Sequence, residues 1–431
     1  MHPTFLNRQA LYLRPDPARV VVRPFKPATE PRDLNPTDQT RANHIVERVL
    51  ALDAATVSSQ LAEVLDNFLG RHRNLLAKFA AHAAEMEAAL APHASFTQEQ
   101  RSLVGAYFMH EYSFEAAALF NPSIIAHPDQ SGAPPSGRRF IMSLRAVGEG
   151  HVSSLTFRSG YIAADGSVTV DPTARLASTP RVQSRIPGPD GDTVELSFEA
   201  DEDISERVIF PVTESQANGI EDARFLAFDD DGVMTFYATY TAYSGKAIRS
   251  ELIETRDFQS FRMLPLQGTA ARNKGMALFP RRIDGKYAMI ARHDNENLYL
   301  IYSDRLHCWN GGTVLLRPEF PWEFVQIGNC GAPIELDEGW LLLTHGVGPV
   351  RRYSIGAVLL DKNDPAKVIA RAREPLVRPD ASDREGYVPN VVYTCGGMRH
   401  NDRIILPYAV SDTFSNFATI EVAALMRIMQ G

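Results

Sequence analysis

The sequence predicts an all-β five-bladed β-propeller with an N-terminal α-helical extension. Two observations favour this fold class: short apolar strands recur along the last two-thirds of the chain, and the later ones start roughly 50 to 65 residues apart, a period typical of propellers. Most of these strands end in a polar side chain; they lie at 139–145, 236–240, 286–292, 339–345 and 403–408. Because one such unit cannot bury its own faces, we expect the units to stack into a ring. A β-sandwich with a helical arm is the alternative that the pattern leaves open.

The first 120 residues differ in pattern from the rest of the chain. Residues 1–38 are rich in proline and charge, which favours an extended arm. From Thr40 to Leu90 the apolar residues follow a helical period, and alanine, a strong helix former, is abundant. Thr97 and Gln100 have the spacing of a capping box, which predicts a helix that runs through Phe108. We therefore divide the chain into an arm and helical region (1–120) and a five-bladed propeller (121–431).

From Phe120 onward the helical period disappears, and short β-rich runs alternate with glycine-containing turns such as Asp230-Asp231-Gly232. The first two propeller strands start about 97 residues apart, nearly twice the spacing of some others. We expect this interval to hold extra strands and a long polar insert at 171–203.

Composition excludes several classes of protein. The 431 residues carry a formal net charge of −8, which argues against a nucleic-acid partner because such proteins usually present a basic surface. The 3 cysteines have the spacing of neither a zinc site nor a disulfide framework, so we expect a reducing compartment, the cytoplasm, and no metal. The N-terminal segment lacks the apolar core of a signal peptide, and no apolar run is long enough for a membrane span.

A candidate acid precedes the strand at 225–228. The run 218–224 contains a glycine, the two carboxylates Glu221 and Asp222, and Arg224. A carboxyl group at the rim of a sheet can serve as a general acid, and a neighbouring arginine would tune its charge state. A solvated turn with a local ion pair is the alternative.

Candidate anion-binding residues follow successive strands. Arginine offers a planar fork that matches two oxygens of a phosphate, so Arg272 and Arg292 could grip one dianion from neighbouring blades. His345 ends an apolar strand, where its ring could donate to a phosphate or sugar oxygen. Tyr353 and Asp412 also fall just after strands of successive repeats.

A series of short motifs supports a more specific hypothesis. They are 120–122 (FNP), 219–224 (GIEDAR), 277–280 (ALFP) with 285–288 (GKYA), 327–328 (IG) with 332–333 (AP), 339–342 (GWLL) with 345–347 (HGV), 359–361 (LLD) with 364–365 (DP), and 388–392 (VPNVV). In these residues and in their order, the chain from about Asn121 to Glu421 resembles glycoside hydrolase family 130, the β-mannoside phosphorylases and β-mannosidases. The helical region before Asn121 is an extension that many members lack.

The resemblance implies a fold and a reaction. The family fold is a five-bladed propeller, and its reaction inverts the anomeric centre of a β-mannoside. In the phosphorylases, inorganic phosphate is a co-substrate: it attacks the anomeric carbon and α-mannose 1-phosphate is released, without a cofactor. The aspartate that acts as the acid, passing its proton through a sugar hydroxyl, matches Asp222.

The resemblance also implies binding roles. The family's phosphate-binding positions correspond to Arg272, Arg292, His345 and Tyr353. Its sugar-binding positions correspond to Asn273 and Asp412. We expect further substrate contacts from Asn121, Arg145, Glu221 and Gln326.

Two positions depart from the family pattern. Gln326 occupies a place where the family often has a lysine that helps to bind phosphate or substrate, and Ala223 stands where proline is common. Losing one cation would weaken dianion binding, because charge-assisted contacts contribute more than neutral ones. These changes leave the acceptor sugar and the linkage open.

Three functions remain as hypotheses. The first is inverting phosphorolysis of a β-mannoside oligosaccharide. The second is an inverting β-mannosidase, in which a second carboxylate, roughly 6.5 to 9.5 Å from the acid, activates water. The candidates for that base are Glu221, Asp294, Glu323 and Glu385. The third is a propeller that binds glycans without catalysis. The apolar stripes of the helical extension would suit a homo-oligomer interface.

Overall fold

The computed structural model describes residues 5–28, 40–90, 95–381 and 384–430. The chain divides into two compact units. The helical unit comprises the described residues of 18–113 and 175–178, and the β unit comprises those of 1–17, 114–174 and 179–431. The division after residue 120 that the sequence suggests stays a prediction.

Four helices form the helical unit, as the apolar period predicts. They are α1 (Arg41–Leu50), α2 (Ala54–Phe68), α3 (Leu75–Leu90) and α4 (Gln98–Tyr107). The predicted capping box is confirmed, since the Gln100 backbone N–H donates to Thr97 Oγ1 and the Thr97 N–H donates to Gln100 Oε1. Buried apolar side chains from α1, α2 and α4, among them Val46, Val57 and Leu103, share one core.

The strands are numbered along the chain. Of the first three, β2 and β3 pair with each other and belong to the helical unit. These three are β1 (Leu6–Arg8), β2 (Val20–Pro24) and β3 (Met109–Ser113). In the predicted arm, 1–4 and 29–38 lie outside the described residues.

The remaining strands belong to the β unit. They are β4 (Ala118–Ala126), β5 (Arg138–Val147), β6 (Ser153–Ile162), β7 (Val168–Val170), β8 (Arg181–Ile186), β9 (Thr193–Ser197), β10 (Val208–Ile209), β11 (Gly219–Asp230), β12 (Val233–Tyr243), β13 (Ile248–Thr255), β14 (Ser260–Pro265), β15 (Ala277–Leu278), β16 (Tyr287–Ala291), β17 (Leu298–Ser303), β18 (Thr313–Leu316), β19 (Gln326–Asn329), β20 (Ile334–Glu335), β21 (Trp340–Gly348), β22 (Arg352–Leu360), β23 (Val368–Arg371), β24 (Val392–Tyr393), β25 (Met398–His400), β26 (Arg403–Val410) and β27 (Phe414–Glu421). The five predicted strands are confirmed, since they overlap β5, β12, β16, β21 and β26. The strands β8 and β9 lie in the predicted insert.

Pairing is antiparallel almost throughout and groups these strands into five successive arrays. The first array is β4-β5-β6, with β7 and β10 beside β6, and the second is β11-β12-β13-β14-β9-β8. A single parallel pair, Gly219 with Ser153, joins these two arrays into one sheet. The third array is β15-β16-β17-β18, the fourth is β19-β21-β22-β23 with β20, and the fifth is β1-β27-β26-β24 with β25.

Buried apolar side chains link each array to the next. One core joins the first array to the second, for example Leu155 with Phe225, and separate cores join the second to the third and the third to the fourth. A further core joins the fourth array to the fifth. A small cluster that includes Phe120 and Ala409 joins the fifth array to the first. These cores are the main source of stability, because burial of apolar area contributes roughly 25 cal/mol per Å².

A helix at the C-terminal end corrects the expectation that helical pattern ends at Phe120. This helix, α5, spans Val422–Gln430 and buries Val422, Leu425, Met426 and Met429. The buried positions are spaced three or four residues apart and cover one face. No helix in the described part of the chain has both the length and the apolar character that a membrane span requires.

Candidate active site

A polar cavity of about 220 Å³ lies in the β unit and draws side chains from all five arrays and the loops around them. Its lining residues are Asn121, Arg145, Glu221, Asp222, Arg224, Lys274, Gly275, Arg292, Gln326, His345, Arg351, Tyr353, Val391, Tyr393 and Asp412. The cavity therefore brings together nine of the eleven site residues that the sequence suggests. A helical-unit cavity lined mainly by apolar side chains contains none of them.

Arg272 and Asn273 are the two suggested residues that do not line this cavity. The Arg272 side chain is exposed. Asn273 Nδ2 donates to Asn295 Oδ1 at 2.8 Å, and its Oδ1 accepts from the Lys274 backbone N–H, so this amide holds the loop together. The next residue, Lys274, lines the cavity instead. Binding roles for Arg272 and Asn273 stay predictions that the lining does not support.

Two β-bulges direct the side chains of the acidic half into the cavity. The register of β4 against β5 shifts between Phe120 and Ser123, and that of β11 against β12 shifts between Glu221 and Arg224. A bulge places extra residues on one strand and redirects their side chains. The two bulges are tied together, because the Phe225 backbone N–H donates to Ser123 Oγ at 2.9 Å.

The Asp222 carboxylate is held by groups from two other strands. Asn121 Nδ2 donates to Asp222 Oδ1 at 2.6 Å, and Arg145 Nη1 lies 3.5 Å from the same oxygen. Arg145 Nη2 donates to Glu221 Oε1 at 2.7 Å, so one guanidinium spans both carboxylates. Arg224 Nη1 donates to the backbone carbonyl of Asp222 at 2.9 Å. These contacts fix the orientation of the carboxyl group.

The two aspartates of the cavity titrate in opposite directions. Burial alone would raise the pKa of Asp222, but the charges of Arg145, Arg224 and Lys274 and the Asn121 hydrogen bond lower it below its usual value. Burial raises the pKa of Asp412 to about 7, because Arg145 only partly offsets the loss of solvation. At neutral pH the free protein therefore holds Asp222 as the charged carboxylate, while Asp412 is divided between its two forms.

The opposite half of the cavity is cationic and aromatic. The Arg292 side chain lies at the end of β16, and His345 comes from β21. The His345 ring stacks on Tyr353 with centroids 5.8 Å apart and packs against Tyr393 at 5.0 Å. Burial, together with Arg292 and Arg224, lowers the pKa of His345 well below its usual value, so the imidazole is neutral. A neutral imidazole can still donate one hydrogen bond.

A glycine makes room for this histidine. A Cβ added at Gly328 would lie 2.2 Å from Cε1 of His345, far inside van der Waals contact. The sequence motif at 327–328 thus has a packing explanation, since only glycine leaves the space that the imidazole occupies.

Several lining residues were not among the predicted site residues. They are Arg224, Lys274, Gly275, Arg351, Val391 and Tyr393. Arg224, which the sequence suggests only as the arginine that tunes the acid, lies two positions after Asp222. Lys274 adjoins Asn273, and Arg351 lies two positions before Tyr353, in the turn between β21 and β22. Tyr393, whose hydroxyl accepts a hydrogen bond from Arg224 Nη2 at 2.9 Å, directly follows the motif at 388–392. Proximity to a motif was the available signal in each case.

The four candidate bases of a hydrolase occupy different places. Glu221 lines the cavity, and Arg145 engages its carboxylate. Glu323 is fully buried away from the cavity lining and accepts a hydrogen bond from Arg371. Asp294 accepts hydrogen bonds from Asn297 and from the Tyr299 hydroxyl. Glu385 is exposed, and neither it nor Asp294 lines the cavity.

Comparison with known families identifies the relationship. A model of glycoside hydrolase family 130, described as beta-1,4-mannooligosaccharide phosphorylase, matches residues 195–431. The chain belongs to glycoside hydrolase family 130. The matched range includes most residues of the cavity, among them Asp222, Arg292 and His345.

Two relatives of this family-130 chain are named as phosphorylases. A 1,2-beta-oligomannan phosphorylase from Thermoanaerobacter sp. (strain X514) is 34% identical over 214 residues, which cover 49% of this chain and 71% of the relative. A beta-1,2-mannobiose phosphorylase from Listeria innocua is 31% identical over 232 residues, which cover 52% of this chain and 63% of the relative.

Solved structures share the fold. The Listeria innocua beta-1,2-mannobiose phosphorylase, in complex with beta-1,2-mannobiose, superposes with a TM-score of 0.50 at 21% identity, over 73% of this chain and 92% of that one. A putative glycoside hydrolase from Bacteroides ovatus superposes with a TM-score of 0.53 at 20% identity, over 73% of this chain and 90% of that one. At these identities the likeness concerns the fold alone.

Proposed function

We propose that this protein is a glycoside phosphorylase that catalyses inverting phosphorolysis of β-mannosides and releases α-mannose 1-phosphate. The observation that carries this proposal is that one cavity combines an oriented carboxyl group, Asp222, with a group of cations that includes Arg292. Phosphorolysis requires one acid and an anion site, because phosphate itself supplies the nucleophile. Membership of family 130 and relatives named as mannoside phosphorylases support the same reaction.

In the proposed reaction, an oxygen of HPO₄²⁻ attacks the anomeric carbon on the face opposite the leaving oxygen. The new C–O bond forms as the glycosidic C–O bond breaks, and the configuration inverts. The leaving oxygen receives the proton of Asp222, through a sugar hydroxyl. The proton that the phosphate carried is released and restores the acid. No cofactor enters this balance.

We assign the binding roles from the two halves of the cavity. Arg292, His345 and Tyr353 would hold the phosphate, since a guanidinium and two further donors suit three phosphate oxygens. The sugar would lie nearer the carboxylate half, against Asn121, Arg145, Glu221, Gln326 and Asp412. Lys274 adds a cation in the same cavity, from the loop before β15, whereas Gln326 is the first residue of β19.

The arrangement of the β unit supports a five-bladed propeller. Five antiparallel arrays follow one another along the chain, and each shares a buried core with the next. The cluster of Phe120 and Ala409 links the fifth array back to the first. A cyclic order of shared cores is what a ring of blades requires.

A β-mannosidase is the second candidate, and the presence of Glu221 and Asp412 in the cavity beside Asp222 favours it. An inverting hydrolase requires one carboxylate acid and one carboxylate base. Arg145, however, holds the Glu221 carboxylate, and a hydrolase has no need of the cations around Arg292. Phosphorolysis is therefore the better account.

The deciding assay supplies β-1,2- and β-1,4-linked mannobiose with and without inorganic phosphate and measures α-mannose 1-phosphate and free mannose. We expect sugar phosphate only when phosphate is present. Free mannose formed at the same rate without phosphate would establish hydrolysis instead. An Asp222→Asn variant should lose turnover by at least about 100-fold, and a glycan-binding module would have no turnover to lose.

Arg292→Ala tests the phosphate site. We expect loss of phosphate-dependent turnover by at least about 100-fold, because a charge-assisted contact in a buried cavity is removed. Arg181→Ala, which removes a largely exposed arginine outside the cavity, is the matched control and should retain activity. Turnover by Arg292→Ala at the wild-type rate in low phosphate would contradict the assignment. The same assay on Arg272→Ala tests whether that residue contributes.

A further inference from the structure

In the free cavity Asp222 is held as the carboxylate, which is the wrong protonation state for a catalytic acid. A general acid must carry its proton when the glycosidic bond breaks. The contacts of Asp222 favour the opposite state: its Oδ1 accepts a hydrogen bond from Asn121 and lies 3.5 Å from the Arg145 guanidinium. The charges of Arg224 and Lys274 act in the same direction. A group that enters the cavity with the substrates must therefore shift Asp222 from its charged form to its protonated form.

The cations of the cavity are only partly neutralised by protein groups. Five cationic side chains and three carboxyl groups line it, namely Arg145, Arg224, Lys274, Arg292 and Arg351 against Glu221, Asp222 and Asp412. Arg224 is 3% exposed and Arg292 is 6% exposed, and the Nε of each has no hydrogen-bond partner within the described chain. Buried donors without partners are uncommon and indicate a missing acceptor. A bound dianion would supply acceptor oxygens and compensating charge.

We propose that binding of the phosphate co-substrate protonates the acid. Entry of a dianion among the cations drives the uptake of one proton from solvent onto Asp222. The reason is electrostatic. The dianion cancels the field of the cations that stabilises the carboxylate, and its own negative charge, placed in the same low-dielectric cavity, disfavours a second anion nearby. This inference rests on the proposed phosphorolysis, and it makes phosphate both the nucleophile and the group that prepares Asp222 to donate.

Other titratable groups face the same carboxylate and are rival acceptors of the proton. Asp412 and His345 are the principal ones, because the pKa of Asp412 is near 7 and a dianion would favour a charged imidazole. The remaining groups have no such role: Glu221 is paired with Arg145, and burial raises the pKa of Tyr393, Cys330 and Cys395, which stay neutral. The experiment must therefore locate the proton as well as count it.

The test is calorimetric titration of the full-length protein with sulfate at pH 6, in a series of buffers that differ in ionisation enthalpy. Sulfate is the probe because it stays a dianion at this pH and takes up no proton itself. The dependence of the observed heat on the buffer gives the number of protons bound per anion. We expect an uptake of about 0.5 to 1 proton in the wild type. Inorganic phosphate, titrated in parallel, verifies that the site binds the co-substrate.

Two isosteric variants locate the proton. Asp222→Asn should bind sulfate at least as tightly as the wild type, because a competing anion has been removed, and its proton uptake should fall to near zero. Asp412→Asn should keep the uptake. Thermal unfolding of each variant verifies that it is folded.

The outcomes separate the inference from the proposed function. Dianion binding without proton uptake, or uptake that persists in Asp222→Asn, overturns the inference and leaves phosphorolysis intact. If neither sulfate nor phosphate binds to the wild type, phosphorolysis itself fails and the inference fails with it.

Discussion

Four non-glycine residues of the cavity hold the left-handed backbone conformation, which residues other than glycine adopt only at a cost of roughly 1 kcal/mol or more. They are Asn121 (φ 50°), Asp222 (φ 54°), Arg351 (φ 52°) and Asp412 (φ 46°). The first two lie in β-bulges, and the other two lie in the turns that follow β21 and β26. Strain of this kind persists where the surrounding strands overdetermine the backbone. Here it places the side chains of neighbouring residues in one cavity.

A prediction at the residue scale concerns Asp412. Its pKa of about 7 in the folded protein lies above the 3.8 of an ordinary aspartate. Between these values the folded state binds a proton that the unfolded state has lost, so stability is greatest below about pH 4 and falls as the pH rises toward 7. Relative to Asp412→Asn, the wild type should lose roughly 2–4 kcal/mol of unfolding free energy over this range and then level off.

Urea unfolding of both proteins between pH 4 and pH 8 measures this difference. Parallel stability curves for wild type and variant would contradict the raised pKa. The same comparison for Glu221→Gln, which changes another carboxyl beside Arg145, shows whether the effect belongs to Asp412.

The limits of sequence-based prediction at this scale come from the bulges. Strict alternation along β11 would send Glu221 and Asp222 to opposite faces of the sheet. The bulge breaks the alternation, so Glu221, Asp222 and Arg224 all line the cavity. A prediction from the alternation of side chains along a strand cannot anticipate this change of register. The run 218–224 and the resemblance to the family both suggested Asp222. Lys274 was missed because the family pattern pointed to its neighbour Asn273, which instead hydrogen-bonds within its own loop.

At the scale of elements, the strands were predictable because each is short, apolar and bounded by turn residues. All five predicted strands are present, and their observed bounds differ by only a few residues. The helix α5 was missed although its apolar residues have helical spacing, because it follows β27 directly and no turn signal separates the two. Helix and strand patterns that adjoin without a break are hard to divide from one sequence.

A prediction at this scale concerns the turn that leads into β19. Glu323 is fully buried, where its Oε1 accepts hydrogen bonds from the backbone N–H groups of Glu319 and Phe320 and from Arg371. Replacing it by alanine leaves Arg371 without its buried partner and frees the turn. We expect Glu323→Ala to lower the unfolding free energy by about 3–5 kcal/mol.

Glu319→Ala is the matched control, because Glu319 also pairs with Arg371 but its side chain is 64% exposed. Exposed pairs contribute little, so we expect a loss below about 1 kcal/mol. Equal losses in the two variants, measured by denaturant unfolding, would show that burial does not govern this pair. A purely structural role also removes Glu323 from the candidate bases. A folded Glu323→Gln variant should therefore show the same pH dependence of turnover as the wild type.

At the scale of the whole molecule, the last array is completed by the start of the chain. The strand β1 pairs antiparallel with β27, with Leu6 opposite Ile420 and Arg8 opposite Ala418. Leu6 points into the core that the fourth and fifth arrays share. Joining the two ends of a chain within one array is a long-range contact, and such contacts make the unfolding of a β unit cooperative. The sequence predicted only an extended arm here, because three residues carry too little pattern to reveal their partner.

The last prediction tests this closure. Leu6 is 8% exposed and Asn7, its neighbour on the same strand, is exposed. If β1 is an integral part of the β unit, Leu6→Ala should lower the free energy of unfolding by about 2–4 kcal/mol through loss of a buried side chain. Asn7→Ala, which leaves the backbone pairing and the core intact, should change it by less than about 0.5 kcal/mol. If the two variants unfold at the same denaturant concentration, β1 is peripheral to the fold, and the β unit is held together without its first strand.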